Sequence, residues 1–525
     1  MTTAAGNWRW PTALAGLAVG VFAVVALSGP GRIDIVDGQT RYEVGRSLVE
    51  HGDSIIRDSA VWWCVFPGRD GQPYTNYRFP QSVLAVPAIW LADATGPATE
   101  ARRHFSFVLI GAAACALLAV AYAHWFRAIG QTPWRACGWA AAGIFCTPNW
   151  FYGTSTFDDI LGAATTVAAI AVAYGARKRW PLLGAVVAGL LMGWSYNCKQ
   201  PLGVFILPVM AALDDTTQRR RTRVWRLAIV VCGLFAGVIA DQAYDWYKFP
   251  TDIKSASPNL LAKYAPNWPG HPLAALTCLT ISPGAGILWY CVPVLMCGRG
   301  LWAWRRQEYN LCRAVVAAGI VFVGFVATLG TYKGDPSWGP RYLTPVASVL
   351  WLFAPMGAAL LKPRLVALVL GLGLVVQLLA LSVDPHRLYI NRGVPSAFSS
   401  ADPWAYFYPA LAHLPNRPVE IYEIATQSEP AEVFTPSPSP TFAFPIINQP
   451  YLPETGPGAV RRYHVLNSFR PWWISQRFLP ETERPVDLDR TVVFFLLLAA
   501  GGIAVVCLAL GVRRSSASPM AVTKQ

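Results

Sequence analysis

The chain has 525 residues, of which 54% are hydrophobic and only 14% are charged. Because a soluble globular protein carries about a quarter charged residues, this composition argues against a soluble enzyme, a disordered chain or a fibrous repeat. The net charge of +14 would suggest a nucleic-acid partner in a soluble protein. Here the basic residues lie in short clusters between apolar runs and no recognition module accompanies them, so we predict a membrane protein with no nucleic-acid partner.

Twelve apolar segments approach the length of about 20 residues that a helix needs to cross a bilayer. They are residues 11–28, 104–126, 134–150, 157–176, 181–196, 200–213, 226–243, 283–298, 312–331, 342–361, 364–382 and 491–512. We interpret the first as a retained anchor rather than a cleaved signal peptide. Segment 80–92 is too short to span and contains Pro80 and Pro87, which indicates an interfacial or re-entrant helix.

The positions of Lys and Arg predict the orientation of these spans. Basic clusters at 177–179, 219–226, 299–306, 362–364 and 513–514 all fall on one side, which the positive-inside rule identifies as cytoplasmic. Residues 102–103 are the exception, and they follow a long loop, where the rule is weak. We therefore expect a multi-pass protein of the bacterial inner (plasma) membrane with both termini cytoplasmic.

This orientation divides the chain into three parts. Residues 1–382 form a transmembrane module whose first extracytoplasmic loop is 29–103, residues 383–490 form a small extracytoplasmic region rich in Pro and aromatic residues, and 491–525 hold the final helix and a cytoplasmic tail. The tryptophan pairs 62–63 and 472–473 fall in extracytoplasmic segments. Such pairs stack on sugars or, more commonly, anchor a loop to the membrane surface.

Cysteine and histidine carry no pattern that predicts a metal site. Most of the 11 cysteines lie inside apolar runs, and no pair has the spacing of a zinc or iron–sulfur site. None of the seven histidines has metal-ligand spacing with another. We therefore expect the cysteines to be small buried apolar residues.

The first extracytoplasmic loop brings two carboxylates, Asp34 and Asp37, close to the end of the first span. A carboxylate near the bilayer surface is well placed for base chemistry on a membrane-held substrate. From the residues alone, the alternative is that both are ordinary loop acids and that Asp37-Gly38 forms a turn. Residues 41–52 follow with helical periodicity, and Gly52 is a plausible helix C-cap.

Four later stretches carry further polar motifs between the apolar runs. They are YTNYRFPQSVLAVP from Tyr74, FYGTSTFDDIL from Phe151, ISPGAGILWYCVP from Ile281 and GDPSWGPRYLTP from Gly334. Together with the Asp-Gly motif and its following helix, they resemble the polytopic GT-C glycosyltransferases. The likeness is strongest to the branch of protein mannosyltransferases and bacterial lipid-linked sugar transferases, and it covers residues 10–361.

The resemblance implies an all-α polytopic membrane fold of the GT-C type and a reaction. In that family an acidic residue of the first extracytoplasmic loop acts as general base on the acceptor hydroxyl, which attacks the sugar as polyprenyl phosphate leaves. The matching position here is Asp37, and Asp34 is the second candidate for the base. The family often has Asp-Glu at this point, whereas this chain has Asp37-Gly38, which leaves the role of a second carboxylate open.

The same resemblance extends to the acids Asp158 and Asp159, which match a position that binds acceptor or metal. The alternative is that they complement the dipole at the start of a helix. A divalent metal held by carboxylates therefore stays open as a cofactor. Tyr77 and Arg78, in the second motif, are included among the predicted substrate-binding residues.

The leaving phosphate calls for cations at the outer membrane face. Lys199, at the end of a span, and Arg341, beside Tyr342, are the candidates, because a guanidinium grips phosphate at two points. The alternatives are that Lys199 only snorkels to the surface and that Arg341 pairs with Asp335. The implied partners are a polyprenyl-phosphate sugar donor, an acceptor that is a lipid, glycan or protein, and membrane lipids.

Two other classes of function compete with the transferase. A transporter or flippase for a lipid-linked or anionic substrate shares the spans and the outer cations, but it needs charged residues near mid-membrane. A non-catalytic scaffold would leave Asp37, Asp158 and Arg341 in separate environments.

Overall fold

The structure is a computed structural model, described here for residues 9–58, 64–214, 220–249, 270–334, 337–391, 404–408, 412–426, 468–475 and 498–502. These residues are mostly helical and contain almost no strand, which confirms the predicted all-α class. The helices in the first half are α1 (Arg9–Ser28), α2 (Val36–Glu50), α3 (Pro80–Ala94), α4 (Glu100–Ala128), α5 (Pro133–Phe145), α6 (Asn149–Gly153), α7 (Asp159–Ala176), α8 (Pro181–Cys198), α9 (Ile206–Leu213) and α10 (Arg220–Lys248). Two short antiparallel strands, β1 (Val65–Pro67) and β2 (Pro73–Thr75), form a hairpin.

The second half continues with shorter helices. They are α11 (Pro272–Ile281), α12 (Ile287–Tyr290), α13 (Val294–Trp304), α14 (Tyr309–Ala327), α15 (Thr344–Trp351), α16 (Ala354–Ala358), α17 (Pro363–Ser382), α18 (His386–Asn391), α19 (His413–Thr426) and α20 (Trp472–Ser475). Turns of 3-10 helix occupy Gln200–Phe205, Arg341–Leu343 and Ala405–Phe407.

Seven helices in the described part of the chain are long and apolar enough to cross a membrane, judged by length and composition. They are α1, α4, α7, α8, α10, α14 and α17. Twelve spans were expected, and the last of them, 491–512, lies mostly outside the described residues. Helix α11 lies in the loop predicted between spans 226–243 and 283–298. Its ten residues are too few to cross a bilayer.

Three predicted spans are divided rather than continuous. Segment 134–150 breaks between α5 and α6, where Pro148 precedes the new helix. Segment 283–298 breaks before α13 at Pro293, and segment 342–361 breaks before α16, which has Pro355 in its first turn. Because proline lacks an N–H and clashes inside a helix but fits its first turn, each break follows from the local sequence.

Helices α8 and α10 pack with their backbones in direct contact. Gly189 and Gly193 face Gly233 and Gly237, and a Cβ added to Gly193 would lie 2.6 Å from the carbonyl oxygen of Gly233. Small residues four apart on both helices allow this approach. The side-chain amide of Asn197 then donates to the carbonyls of Gly193 and Gly237, at 2.8 Å each. These contacts hold the last turn of α8 in place. Asn197, which makes them, lies two residues before Lys199.

Helix α2 confirms the predicted helix and extends it toward the N-terminus. It begins at Val36, so Asp37 and Gly38 lie in its first turn, and the predicted Asp-Gly turn is wrong. It ends at Glu50, and Gly52 has φ +75°, the left-handed conformation that terminates helices. The buried face of α2 packs on α3, where Gly45 approaches Ser82 and Ala85.

The segment 468–475 contacts both the residue after α17 and the end of α1. Val383 pairs with Phe469 in an antiparallel bridge, and the fully buried Trp472 donates its indole N–H to the carbonyl of Ala26 at 3.1 Å. Trp472 is therefore a packing residue, neither a sugar platform nor a membrane anchor. Its neighbour Trp473 donates to Leu27 at 3.1 Å, and residues 62–63 lie outside the described part.

Candidate functional site

Asp37 lies in the first turn of α2, where the helix dipole favours a negative charge. Its Oδ1 accepts a hydrogen bond of 2.5 Å from the hydroxyl of Tyr77, which comes from the loop between β2 and α3. The Asp37 side chain keeps 13% of its surface exposed. One carboxylate oxygen is thus held by Tyr77, and the side chain is not sealed from a reacting group.

Arg341 joins Asp37 to the start of α7. Its Nη1 lies 4.0 Å from Oδ2 of Asp37, and its Nε lies 3.7 Å from Oδ2 of Asp159. Its Nη2 donates to the Tyr342 hydroxyl at 3.0 Å, and the guanidinium lies over the Phe157 ring at 4.1 Å. The predicted phosphate-binding cation therefore lies directly beside the predicted base.

Lys199 completes this half of the site. It follows the last residue of α8 and forms an ion pair with Asp159, which is fully buried. Its ammonium also lies 4.6 Å from the centre of the Tyr342 ring. Lys199 therefore points into the cluster, and the alternative that it only snorkels toward water is wrong.

Asp158 is held by a residue that the sequence analysis missed. Nη2 of Arg41 lies 3.1 Å from its Oδ2, and the same guanidinium lies 4.4 Å over the Tyr77 ring. Arg41 is four residues after Asp37 on α2, and that spacing on one helix face was the available signal. Asp158 immediately precedes α7 and Asp159 lies in its first turn, so both acids also stand where the helix dipole favours a negative charge, as the alternative expected.

Arg78 lies at the edge of this group. It forms an ion pair with the buried Asp241 of α10, and Asp241 also accepts a hydrogen bond of 3.2 Å from the side chain of Gln200. Gln200 directly follows Lys199. The pair of Arg78 and Asp241 therefore adjoins the cluster through the chain at 199–200, and Arg78 contacts Asp241 rather than Asp37 or Asp159.

Asp34 occupies a different environment from Asp37. Its Oδ1 accepts hydrogen bonds from the backbone N–H and hydroxyl of Thr156, at 2.9 and 2.8 Å, and its Oδ2 accepts one of 3.0 Å from Arg470. Both oxygens are engaged in a buried network. We therefore assign Asp34 a structural role in holding the loop, and not the role of second candidate base that the sequence suggested.

The missing second acid of the Asp-Glu pattern has a steric reason. A Cβ on Gly38 would overlap the hydroxyl and Cβ of Thr156. Thr156 is held there by Asp34, so this space is filled by the turn before α7. A glutamate at position 38 does not fit this arrangement.

The charges of the cluster balance. The carboxylates of Asp37, Asp158 and Asp159 are matched by Arg41, Lys199 and Arg341. Burial alone would lower the pKa of Arg41, but the charges of Asp158 and Asp37 outweigh it and raise that pKa. Asp335, the other predicted partner of Arg341, lies outside the described residues.

Two further properties bear on chemistry. Burial and the nearby charge of Asp37 raise the pKa of Tyr77 well above its ordinary value, so its hydroxyl stays protonated and donates to Asp37. Within the part of the chain that the structure describes, no three His, Cys, Asp or Glu side chains group so as to hold a metal ion. Each carboxylate of the cluster faces a cation instead.

No protein-family model and no curated protein matches the chain. Among solved structures, it is similar to ArnT from Cupriavidus metallidurans bound to undecaprenyl phosphate, with 16% identity and a TM-score of 0.46 over 82% of this chain and 84% of that one. It is similar to the Archaeoglobus fulgidus oligosaccharyltransferase in complex with Zn and sulfate, with 12% identity and a TM-score of 0.41 over 76% and 58%. It is also similar to Archaeoglobus fulgidus AglB in complex with an inhibitory peptide and a dolichol-phosphate, with 10% identity and a TM-score of 0.40 over 77% and 60%.

Proposed function

We propose that the chain is a membrane glycosyltransferase that moves a sugar from a polyprenyl-phosphate donor to an extracytoplasmic lipid, glycan or protein. The observation that carries the proposal is the position of Arg341 beside Asp37 and Asp159, with Lys199 on the far side of Asp159. A base and two cations for a leaving phosphate thus lie in one buried cluster. The motifs that resemble GT-C transferases contain Asp37, Asp159 and Arg341, and Lys199 was predicted from its position at the end of a span.

In this proposal Asp37 accepts the proton of the acceptor hydroxyl through Oδ2, since Oδ1 is held by Tyr77. The acceptor oxygen forms a bond to the anomeric carbon, and the bond from that carbon to the phosphate oxygen breaks. The electron pair of that bond stays on the phosphate. Arg341 and Lys199 stabilise the charge that develops there, which requires them to turn part of their contact from Asp159 to the phosphate.

Asp158 and Arg41 support the proposed base Asp37 indirectly, through Tyr77. Arg41 contacts Asp158 and lies over the Tyr77 ring, so it fixes the residue that holds Asp37. An acceptor hydroxyl approaching Asp37 would also meet this pair. No step of the proposal passes through a metal.

The scaffold alternative requires Asp37, Asp158 and Arg341 to lie apart. Their contacts run without a break from Asp158 through Arg41 and Tyr77 to Asp37 and then to Arg341. This continuity favours a reactive site.

The test separates transfer from transport. Purified full-length protein is reconstituted in vesicles with labelled undecaprenyl-phosphate hexoses and pentoses and a bacterial lipid extract, and both labelled product and released undecaprenyl phosphate are measured. Transfer predicts equal amounts of both for at least one donor. Movement of intact donor between leaflets without cleavage would contradict the proposal and favour a flippase.

A further inference from the structure

Arg470 belongs to a short segment that returns from far along the chain to the turns that carry the candidate acids. Its Nη2 donates to Oδ2 of Asp34 at 3.0 Å, and its Nη1 donates to the hydroxyl of Thr154 at 2.8 Å. The guanidinium lies 4.5 Å over the Phe151 ring, and the side chain is 1% exposed. The two hydrogen bonds of the guanidinium go to the loops before α2 and α7, and its ring contact is with α6.

These contacts connect the two helix starts that hold the site. Asp34 lies three residues before Asp37, and Thr156 lies two residues before Asp158. Because Asp34 binds Thr156 through one oxygen and Arg470 through the other, a single carboxylate joins both turns to the returning segment. The distance between Asp37 and the acids of α7 therefore depends on this network.

The backbone of the segment 468–475 also makes hydrogen bonds to distant parts of the chain. The N–H of Arg470 donates to the carbonyl of Ser382, and the N–H of Trp472 donates to that of Gly29, both at 2.9 Å. Gly31 has φ +64°, and a Cβ there would lie 2.5 Å from Cβ of Trp472. A glycine is needed at position 31 for both reasons, so a side chain there would disturb the contact between the loop and this segment.

We propose that Arg470 is a positioning residue, which with Asp34 fixes the first turn of α2 against the turn before α7 and so sets the geometry between Asp37 and Asp159. The role in transfer rests on the proposed function, whereas the mechanical link between the two turns does not. Removing Arg470 leaves the Asp34 carboxylate buried beside Thr156 without the cation that is hydrogen-bonded to it, which is a costly arrangement that the two turns relieve by moving apart.

The test compares Arg470→Met and Arg470→Lys with Arg387→Met in the full-length protein. Arg387 is a matched control, because it is a buried arginine of α18 whose guanidinium forms ion pairs with Glu420 and Glu423. Amide hydrogen exchange is measured in peptides covering 33–40 and 152–160. The backbone N–H of Thr156, bonded to Asp34, reports the link directly.

We expect Arg470→Met to speed exchange in both peptides at least tenfold and to lower kcat at least tenfold, with KM for the donor changed less than threefold. Arg470→Lys, which keeps the charge, recovers part of both effects and serves where Arg470→Met does not fold. Arg387→Met lowers the melting temperature but leaves exchange in both peptides as in the wild type.

Wild-type exchange in both peptides of the Arg470 variants would overturn the link. Faster exchange with unchanged kcat would overturn positioning and leave Arg470 a purely structural residue. If the wild type transfers no sugar from any donor, the proposed function fails, and the exchange measurement alone still decides whether Arg470 holds the two turns together.

Discussion

Arg341 lies between two carboxylates from different helices, with its Nη1 4.0 Å from Oδ2 of Asp37 and its Nε 3.7 Å from Oδ2 of Asp159. Both separations exceed the length of a direct hydrogen bond. Charge therefore holds the guanidinium to these two carboxylates, while its Nη2 donates to the Tyr342 hydroxyl and the Phe157 and Tyr342 rings lie against it. Turning toward a leaving phosphate would therefore break no direct hydrogen bond from Arg341 to Asp37 or Asp159 at these separations.

Replacement of Arg341 tests this role. Arg341→Gln is expected to lower kcat/KM for the donor about 10- to 100-fold, because a hydrogen bond to a charged group contributes about 1.5–3 kcal/mol. Arg341→Lys should recover part of the loss, since it keeps the charge but not the two-point grip. The exposed Arg135 gives the control Arg135→Gln, which should match the wild type. Unchanged donor kinetics in Arg341→Gln would remove Arg341 from the phosphate site.

Tyr77 holds one oxygen of Asp37 and is not itself expected to react. Tyr77→Phe keeps the ring beneath Arg41 and removes only the hydroxyl, so kcat should fall about tenfold with KM little changed, as expected for a lost hydrogen bond of about 1–1.5 kcal/mol. Steady-state kinetics decide the point. A loss as large as that from Asp37→Asn would instead give Tyr77 a direct part in the reaction.

Gly38 is expected to tolerate no side chain. Gly38→Ala would press a methyl group into Thr156, so we expect a lower melting temperature and a loss of transfer. Gly138, on α5, is also helical but has open space around its Cα, so Gly138→Ala should be neutral or slightly stabilising. Thermal unfolding of both variants in detergent makes the comparison, and equal melting temperatures would contradict the tight contact.

Asp384 predicts a pH dependence of stability. Burial alone would raise its pKa, but His386, Arg32 and Arg470 outweigh burial and hold the pKa below its ordinary value. A depressed folded-state pKa contributes stability that is present above the unfolded value of about 3.9 and is lost as the pH falls through the folded pKa. Asp384→Asn should therefore lower the free energy of unfolding by about 3–5 kcal/mol at pH 7.

The measurement is the apparent melting temperature of the wild type and Asp384→Asn between pH 7 and 3. The difference should narrow as the pH falls below about 4. Arg135→Gln, at an exposed residue of α5, should melt with the wild type throughout. A difference that does not depend on pH would show that Asp384 acts through packing rather than charge.

Local sequence patterns predicted the individual elements well. The helix over 41–52 and its glycine end follow from periodicity and from the conformational freedom of Gly52, and both are present. The breaks in the spans near Pro148, Pro293 and Pro355 were also encoded locally, but hydropathy averaged over a segment conceals a single proline.

Contacts between distant segments could not be predicted in the same way. Nothing near Asp34 in the sequence marks Arg470 as its partner, because their hydrogen bond depends on the return of the chain after α17. The candidates Asp37, Asp159 and Arg341 came from motifs and Lys199 from its place at the end of a span, but their pairing required the packing of α2, α7 and α8. That Asp34 and Asp37 lie in different environments was likewise decided by tertiary structure.

The most direct test of the central claim is sugar transfer by Asp37→Asn beside the wild type, with Asp70→Asn as a control acid in the same loop. Because general-base catalysis contributes about 10²- to 10⁴-fold, we predict a loss in kcat of that size for Asp37→Asn, with donor binding retained and Asp70→Asn fully active. Transfer by Asp37→Asn at the wild-type rate would contradict the assignment of Asp37 as the base.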